Sequence, residues 1–180
     1  MTQYFRKMKS PLGELTLVAN EKSLLAVLWE DDSPDRVRFS QWVPAADSLS
    51  LVPLAILDAT QKQLCEYFSG TRIKFNLPFE FNGTEFQKKV WNSLLTIPYG
   101  KTLSYSELSQ RVGSPKAYRA VGAANGKNPI SIIFPCHRVI GKSGKLTGFA
   151  GGLEAKNYLL KLEQAYDPNQ RSRPATGVCS

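Results

Sequence analysis

The stretch Ile132-Ile133-Phe134-Pro135-Cys136-His137-Arg138-Val139-Ile140 constrains this chain more than any other. It is apolar enough to be buried, yet a Pro-Cys-His-Arg step interrupts it where a plain core strand would carry Val or Ile. Proline cannot donate to a sheet ladder, so Pro135 belongs at a strand end or edge. Cys136 and His137 are therefore expected at the lip of a sheet, beside a cavity. His137 is the chain's single histidine. A thiol attacks as thiolate, and a neighbouring imidazole is a common route to it. The competing reading is a small buried hydrophobe, the ordinary role of a free cysteine.

The charge distribution adds a second constraint. The net charge of +8 is uneven along the 180 residues. Residues 1–80 hold 9 Lys/Arg against 10 Asp/Glu, whereas residues 81–165 hold 12 against 4. A basic second half points to a polyanionic partner, and a solvated basic face is the bland alternative. No apolar run approaches the roughly 20 residues that span a bilayer, and no secretory signal is visible at the N-terminus. Cys65, Cys136 and Cys179 match neither a disulfide framework nor a zinc motif, which suggests a reducing, cytoplasmic setting.

Turn signals organise the first half. Residues 4–9, 14–19 and 24–29 are read as three antiparallel strands around Ser10-Pro11-Leu12-Gly13 and Asn20-Glu21-Lys22-Ser23. A short helix is predicted over 35–43 and a loop over 44–53. A further helix follows, with Leu54, Leu57, Leu64, Cys65 and Phe68 on its apolar face. Cys65 reads as core rather than chemistry. A composition shift near residues 76–83 sets the domain boundary: 1–80 form a small α+β domain and 81–165 a second one. Residues 166–180 are polar and aperiodic and are expected to be disordered.

In the second half, Thr84 with Gln87 and Ser104 with Glu107 are capping boxes. The first opens a helix that buries Phe86, Val90, Trp91, Leu94 and Leu95. The second opens a helix stopped by Gly113. Ser114 is expected to cap a further helix from Pro115 to about Asn125. Helix, short glycine turn, helix is the helix-turn-helix pattern, for which an ordinary helical corner is the alternative. The glycines of 147–152 have neither dinucleotide nor P-loop spacing, and Leu153–Glu163 reads as a last amphipathic helix.

Taken together, Thr84-Glu85-Phe86-Gln87, Ile97-Pro98-Tyr99-Gly100, Ser104-Tyr105, Arg119-Ala120-Val121-Gly122, Asn128-Pro129, Pro135–Val139, Gly151-Gly152 and Leu160 with Glu163 resemble the O6-alkylguanine-DNA alkyltransferases. The first half is similar only in general layout. The resemblance implies an α+β chain with two domains: a small antiparallel-sheet domain of ribonuclease-H-like layout, then a winged-helix-like domain with a helix-turn-helix. It implies direct, single-turnover repair, in which the alkyl group of O6-alkylguanine or O4-alkylthymine moves to the protein's own cysteine, with no cofactor.

Carried over by position, Cys136 is the acceptor, His137 its base through a water, and Glu163 the group that orients His137. Tyr105 protonates N3 of the departing guanine, and Asn128 braces the turn before the active cysteine. The backbone of Cys136, Val139 and Ala150 meets the base, with Phe149 beside it. Arg119 fills the stack left by the flipped nucleotide, and Lys116, Ala120, Gly122 and Tyr105 join it against the minor groove of double-stranded DNA. A monomer is expected. Phe149 and Ala150 stand where the family often has Tyr and Ser, which bears on lesion preference. The first domain has no histidine, so no zinc site is expected there. Two other functions fit parts of the pattern: a cysteine hydrolase, and a helix-turn-helix regulator without chemistry.

Overall fold

The computed structural model describes residues 2–33, 36–37, 42–47 and 51–164. These form two compact units, parted in sequence between Phe81 and Asn82. The first is built on β1 (Gln3–Ser10), β2 (Gly13–Ala19), β3 (Leu24–Trp29) and β4 (Trp42–Pro44), in sheet order β3-β2-β1-β4. The first three strands are antiparallel, and β4 runs parallel to β1. The first turn closes because Ser10 Oγ donates to Gly13 O at 2.7 Å while accepting from Leu12 N. Gly13 takes φ +95°, a conformation costly for any residue with a Cβ. At the second turn the Asn20 carboxamide oxygen accepts from Lys22 N and Ser23 N, each at 2.8 Å.

Central β2 buries Leu15 and Leu17 on one parity and Val18 on the other, so both faces of the sheet are covered there. α1 (Leu51–Phe68) packs against β1, β2 and β3. It starts inside the predicted loop, and its buried stripe is Pro53, Ile56, Leu57, Thr60, Leu64, Tyr67 and Phe68. Leu54 lies beside that stripe rather than on it. Cys65 is half-buried on that helix. Most of the helix predicted over 35–43 lies outside the described residues, and its last two positions, Trp42 and Val43, are strand. The tail over 166–180 also lies outside them.

The second unit is mainly helical: α2 (Glu85–Leu94), β5 (Leu103–Ser104), α3 (Tyr105–Arg111), α4 (Tyr118–Gly126), β6 (Val139–Ile140) and α5 (Gly152–Gln164), with β5 parallel to β6. Both capping boxes form. α2 buries Val90, Trp91 and Leu94, and Trp91 Nε1 donates to Ala124 O at 2.8 Å, tying α2 to α4. Phe86 is only half-buried, and Leu95, the C-cap residue, is exposed. α3 stops as predicted: Gly113, at φ +70°, donates to Gln110 O while Ser114 N donates to Ser109 O, the paired bonds of a left-handed helix stop.

That stop moves the start of α4. Ser114 is occupied in closing α3, its carbonyl accepts from Ala117 N, and Ser109 Oγ holds Pro115 O. Residues 114–117 therefore make a turn, and α4 begins at Tyr118 with Ala117 as an uncapped entry. The expected helix from Pro115, capped by Ser114, is corrected accordingly.

Candidate active site

The segment predicted as an interrupted strand is a tight turn. Residues 128–139 are buried, and Cys136–Arg138 form one turn of 3-10 helix that leads into β6. Pro135 does not close a strand; it precedes that turn. Asn128 holds the approach. Its Nδ2 donates to Phe134 O at 2.8 Å, and its Oδ1 accepts from Ile130 N at 3.1 Å. Between these anchors Ile132 sits at φ +72°, where a β-branched residue is an outlier. Such strain costs on the order of 1–3 kcal/mol and persists only where packing over-determines it; here Ile130, Ile132 and Phe134 are all core.

The turn delivers a 3% exposed Cys136 and a fully buried His137. His137 Nε2 lies 2.7 Å from Glu163 Oε1. The same carboxylate takes Arg138 Nε at 2.8 Å and Arg138 Nη2 at 2.9 Å, and it receives Gly100 N at 3.2 Å. Arg138 Nη1 donates to Ile97 O at 2.6 Å, and the guanidinium lies over the Tyr99 ring. Burial alone would lift the Glu163 carboxyl, but His137 and Arg138 outweigh it and hold it down at about 2. Glu163 is thus an anion across the neutral range, so Nε2 must carry a proton and Nδ1 is the basic nitrogen. Burial pushes His137 below its ordinary value, against the pull of Glu163 and with help from the Arg138 and Lys156 charges. The resting imidazole is neutral and able to accept a proton.

α5 supplies a second buried charge. Lys156, two helical turns before Glu163 on the same face, donates through Nζ to Val139 O at 2.5 Å and Thr147 O at 2.8 Å. Burial lowers it to about 8, with Cys136 working the other way. The Tyr105 hydroxyl donates to the same Thr147 carbonyl at 3.3 Å, and its ring faces the Lys156 ammonium. Burial lifts the Tyr105 phenol above its usual value, and the contacts to Thr147 and Asn125 work against that. Phe149 meets the His137 ring edge-on, and Ala150 follows it in the turn before α5.

Cys136, His137, Glu163, Tyr105, Asn128, Val139 and Phe149 thus gather around one turn. Lys116, in the turn before α4, and Arg119 and Ala120, in its first turn, are exposed and are not part of that cluster. Gly122 lies on the inner side of α4, where a Cβ would meet the Tyr105 ring at 3.7 Å. Sequence reading missed Arg138 as a partner of Glu163, and it missed Lys156 and Asn125. The spacing of seven between Lys156 and Glu163 on an amphipathic helix was a usable signal; for Asn125 there was none. Among the described residues no cluster of metal-ligating side chains occurs.

Residues 85–165 match the 6-O-methylguanine DNA methyltransferase, DNA binding domain, and residues 3–81 match the 6-O-methylguanine DNA methyltransferase, ribonuclease-like domain. The chain belongs to the 6-O-methylguanine DNA methyltransferase family.

It is 44% identical to the methylated-DNA–protein-cysteine methyltransferase of Mycobacterium tuberculosis over 167 residues, covering 92% of this chain and 94% of that one. A relative of the same name from Methanosarcina mazei is 45% identical over 161 residues, covering 89% and 97%. The crystal structure of Mycobacterium tuberculosis OGT in complex with DNA superposes with a TM-score of 0.79 at 41% identity, covering 92% of this chain and 94% of that one. The α+β fold, with a sheet-rich first domain and a helical second one, is that of this methyltransferase family.

Proposed function

We propose that this protein repairs alkylated double-stranded DNA by moving the alkyl group from O6 of guanine, and from O4 of thymine, onto Cys136, once per molecule. The observation that carries this reading is a buried cysteine beside a neutral histidine whose outer nitrogen is held by an ionised carboxylate. The family's named relatives are methyltransferases, which favours alkyl transfer over the hydrolase and regulator readings.

The thiol proton passes through a bridging water to His137 Nδ1, and Glu163 stabilises the imidazolium that forms. The thiolate sulfur attacks the alkyl carbon, the carbon–O6 bond breaks, and its electron pair stays on the base. Tyr105 then protonates N3, so that neutral guanine leaves. The carbonyls of Cys136 and Val139 accept from the guanine amino group, the N–H of Ala150 meets O6, and Phe149 lines the base. The methyl carbon of a paired base cannot be reached inside the stack, so the nucleotide must flip. Arg119, exposed on α4, enters from the minor groove and fills the gap, with Lys116, Ala120 and Gly122 alongside. Contacts to phosphate and groove, rather than a base code, suit a lesion that occurs in any sequence. The protein acts as a monomer in the cytoplasm, without a cofactor.

Incubation with duplex DNA carrying radiolabelled O6-methylguanine tests this reading. The expected plateau is one methyl per active molecule, with added mass only on the peptide containing Cys136. Release of guanine beyond that plateau would instead indicate a turning-over hydrolase, and binding without transfer would indicate a regulator.

A further inference from the structure

Asn125 is a buried amide that the mechanism above does not use. It lies in the last turn of α4 and is 2% exposed. Its Nδ2 reaches Cys136 O at 3.5 Å, the outer limit of a hydrogen bond. Its Oδ1 is buried and has no hydrogen-bond partner among the described residues. The amide also stands against the Tyr105 phenol, on the helical face where Gly122 borders that ring. A buried acceptor without a donor costs on the order of 1–3 kcal/mol, which is tolerable where a ligand brings the donor.

The base bound here has one such donor. Alkylation at O6 removes the N1 proton of guanine, so the exocyclic N2 amino group carries the only ring-edge N–H donors. N2 and N3 both attach to C2. A base that presents N3 to Tyr105 and N2 to the Cys136 carbonyl therefore turns that edge toward the amide between them. We infer that Asn125 Oδ1 accepts a hydrogen bond from the N2 amino group of O6-alkylguanine, sharing with the adjacent Cys136 carbonyl the N–H that Val139 O does not take, and makes Asn125 a specificity-determining residue for guanine over thymine lesions. O4-alkylthymine has no N–H donor to offer. The inference rests on the alkyltransferase reading and names which base that site prefers.

Single-turnover transfer would be measured on three duplexes, carrying O6-methylguanine, O6-methylhypoxanthine (which lacks the amino group) or O4-methylthymine. Wild-type protein should prefer guanine over hypoxanthine by about tenfold. Asn125→Leu should lose about fivefold of that preference, the worth of one net hydrogen bond, and should narrow the gap between guanine and thymine. Asn125→Asp, which keeps an acceptor, should retain it. A structural role would slow all three substrates alike and leave the ratios unchanged, which overturns the inference. If Asn125→Leu does not fold, Asn125→Ala replaces it: a guanine-to-hypoxanthine ratio reduced about fivefold supports the assignment, and an unchanged ratio refutes it. Absence of transfer from any substrate by wild-type protein would overturn the alkyltransferase reading itself, a distinct result.

Discussion

Glu163 carries two duties that pull in different directions. It accepts from His137 and closes a two-point pair with Arg138, all of it buried. Glu163→Gln should therefore do more than slow transfer. Removing one partner of a buried pair leaves the other charge uncompensated, at a cost of about 3–5 kcal/mol, so a lower denaturation midpoint should accompany a rate loss of at least tenfold. DNA affinity should barely change. A normal single-turnover rate would remove Glu163 from the mechanism. The same pairing sets a pH dependence. The folded carboxyl sits at about 2, below its ordinary 4.5. The unfolded chain therefore takes up the proton first, and the stability from Glu163 is complete above 4.5 and lost as pH falls from there toward 2. His137 acts in the same direction below 6.5, because burial lowers it. Stability curves between pH 7 and 2 should fall in those windows, and Glu163→Gln should flatten the lower one. The dependence of Glu163 on Arg138 was not legible in the linear order, where the two lie 25 positions apart.

The elements around the site owe their ends to local chemistry that a sequence does display. Thr84 and Ser104 each accept from the residue three ahead and are bonded back by it, so both helix starts were legible. Gly113 adopts the left-handed φ that only glycine takes cheaply, so the stop of α3 was legible too. Ser104→Ala should cost about 1 kcal/mol, the usual worth of an N-cap, read as a shift in denaturation midpoint with α3 otherwise intact. The start of α4 differs from the expected one because Ser114 has two possible uses, and the closure of α3 claims it. That shift places Arg119 in the first turn, exposed beside an equally exposed Tyr118. Arg119→Ala should lower transfer from duplex DNA far more, by about tenfold or greater, than reaction with free O6-benzylguanine, which needs no flipping. Equal losses on both substrates would refute a wedge role.

Over the whole chain, the basic charge is concentrated in residues 81–165, while the first 80 residues are close to neutral. Phosphate contacts release counterions, so DNA affinity should fall linearly on a log–log plot against salt. Charge reversal at Lys116 and Lys127, both exposed on the second domain, should reduce that slope. A dissociation constant indifferent to salt would rule out this electrostatic account. No helix among the described residues is long and apolar enough to cross a membrane.

Much of the architecture follows from one-dimensional rules, because turn residues, caps and hydrophobic period act over a few positions. The hairpin at Ser10–Gly13, the strand run, both capping boxes and the final helix are of that kind. The pairing of Cys136 with His137 was visible because the two are adjacent. What only the tertiary structure decided depends on residues far apart meeting in a dry interior. The apolar run at 132–140 reads as strand by composition, yet Asn128 and the strained Ile132 wind it into a 3-10 turn. The partners of Lys156 and Arg138 are not visible in sequence; both side chains are buried because carbonyls at Val139, Thr147 and Ile97 and the Glu163 carboxylate satisfy them. Nothing local marks Asn125. Its place between Cys136 and Tyr105 exists only because α4 packs against both, and long-range packing of that kind is not written in any short stretch of the chain.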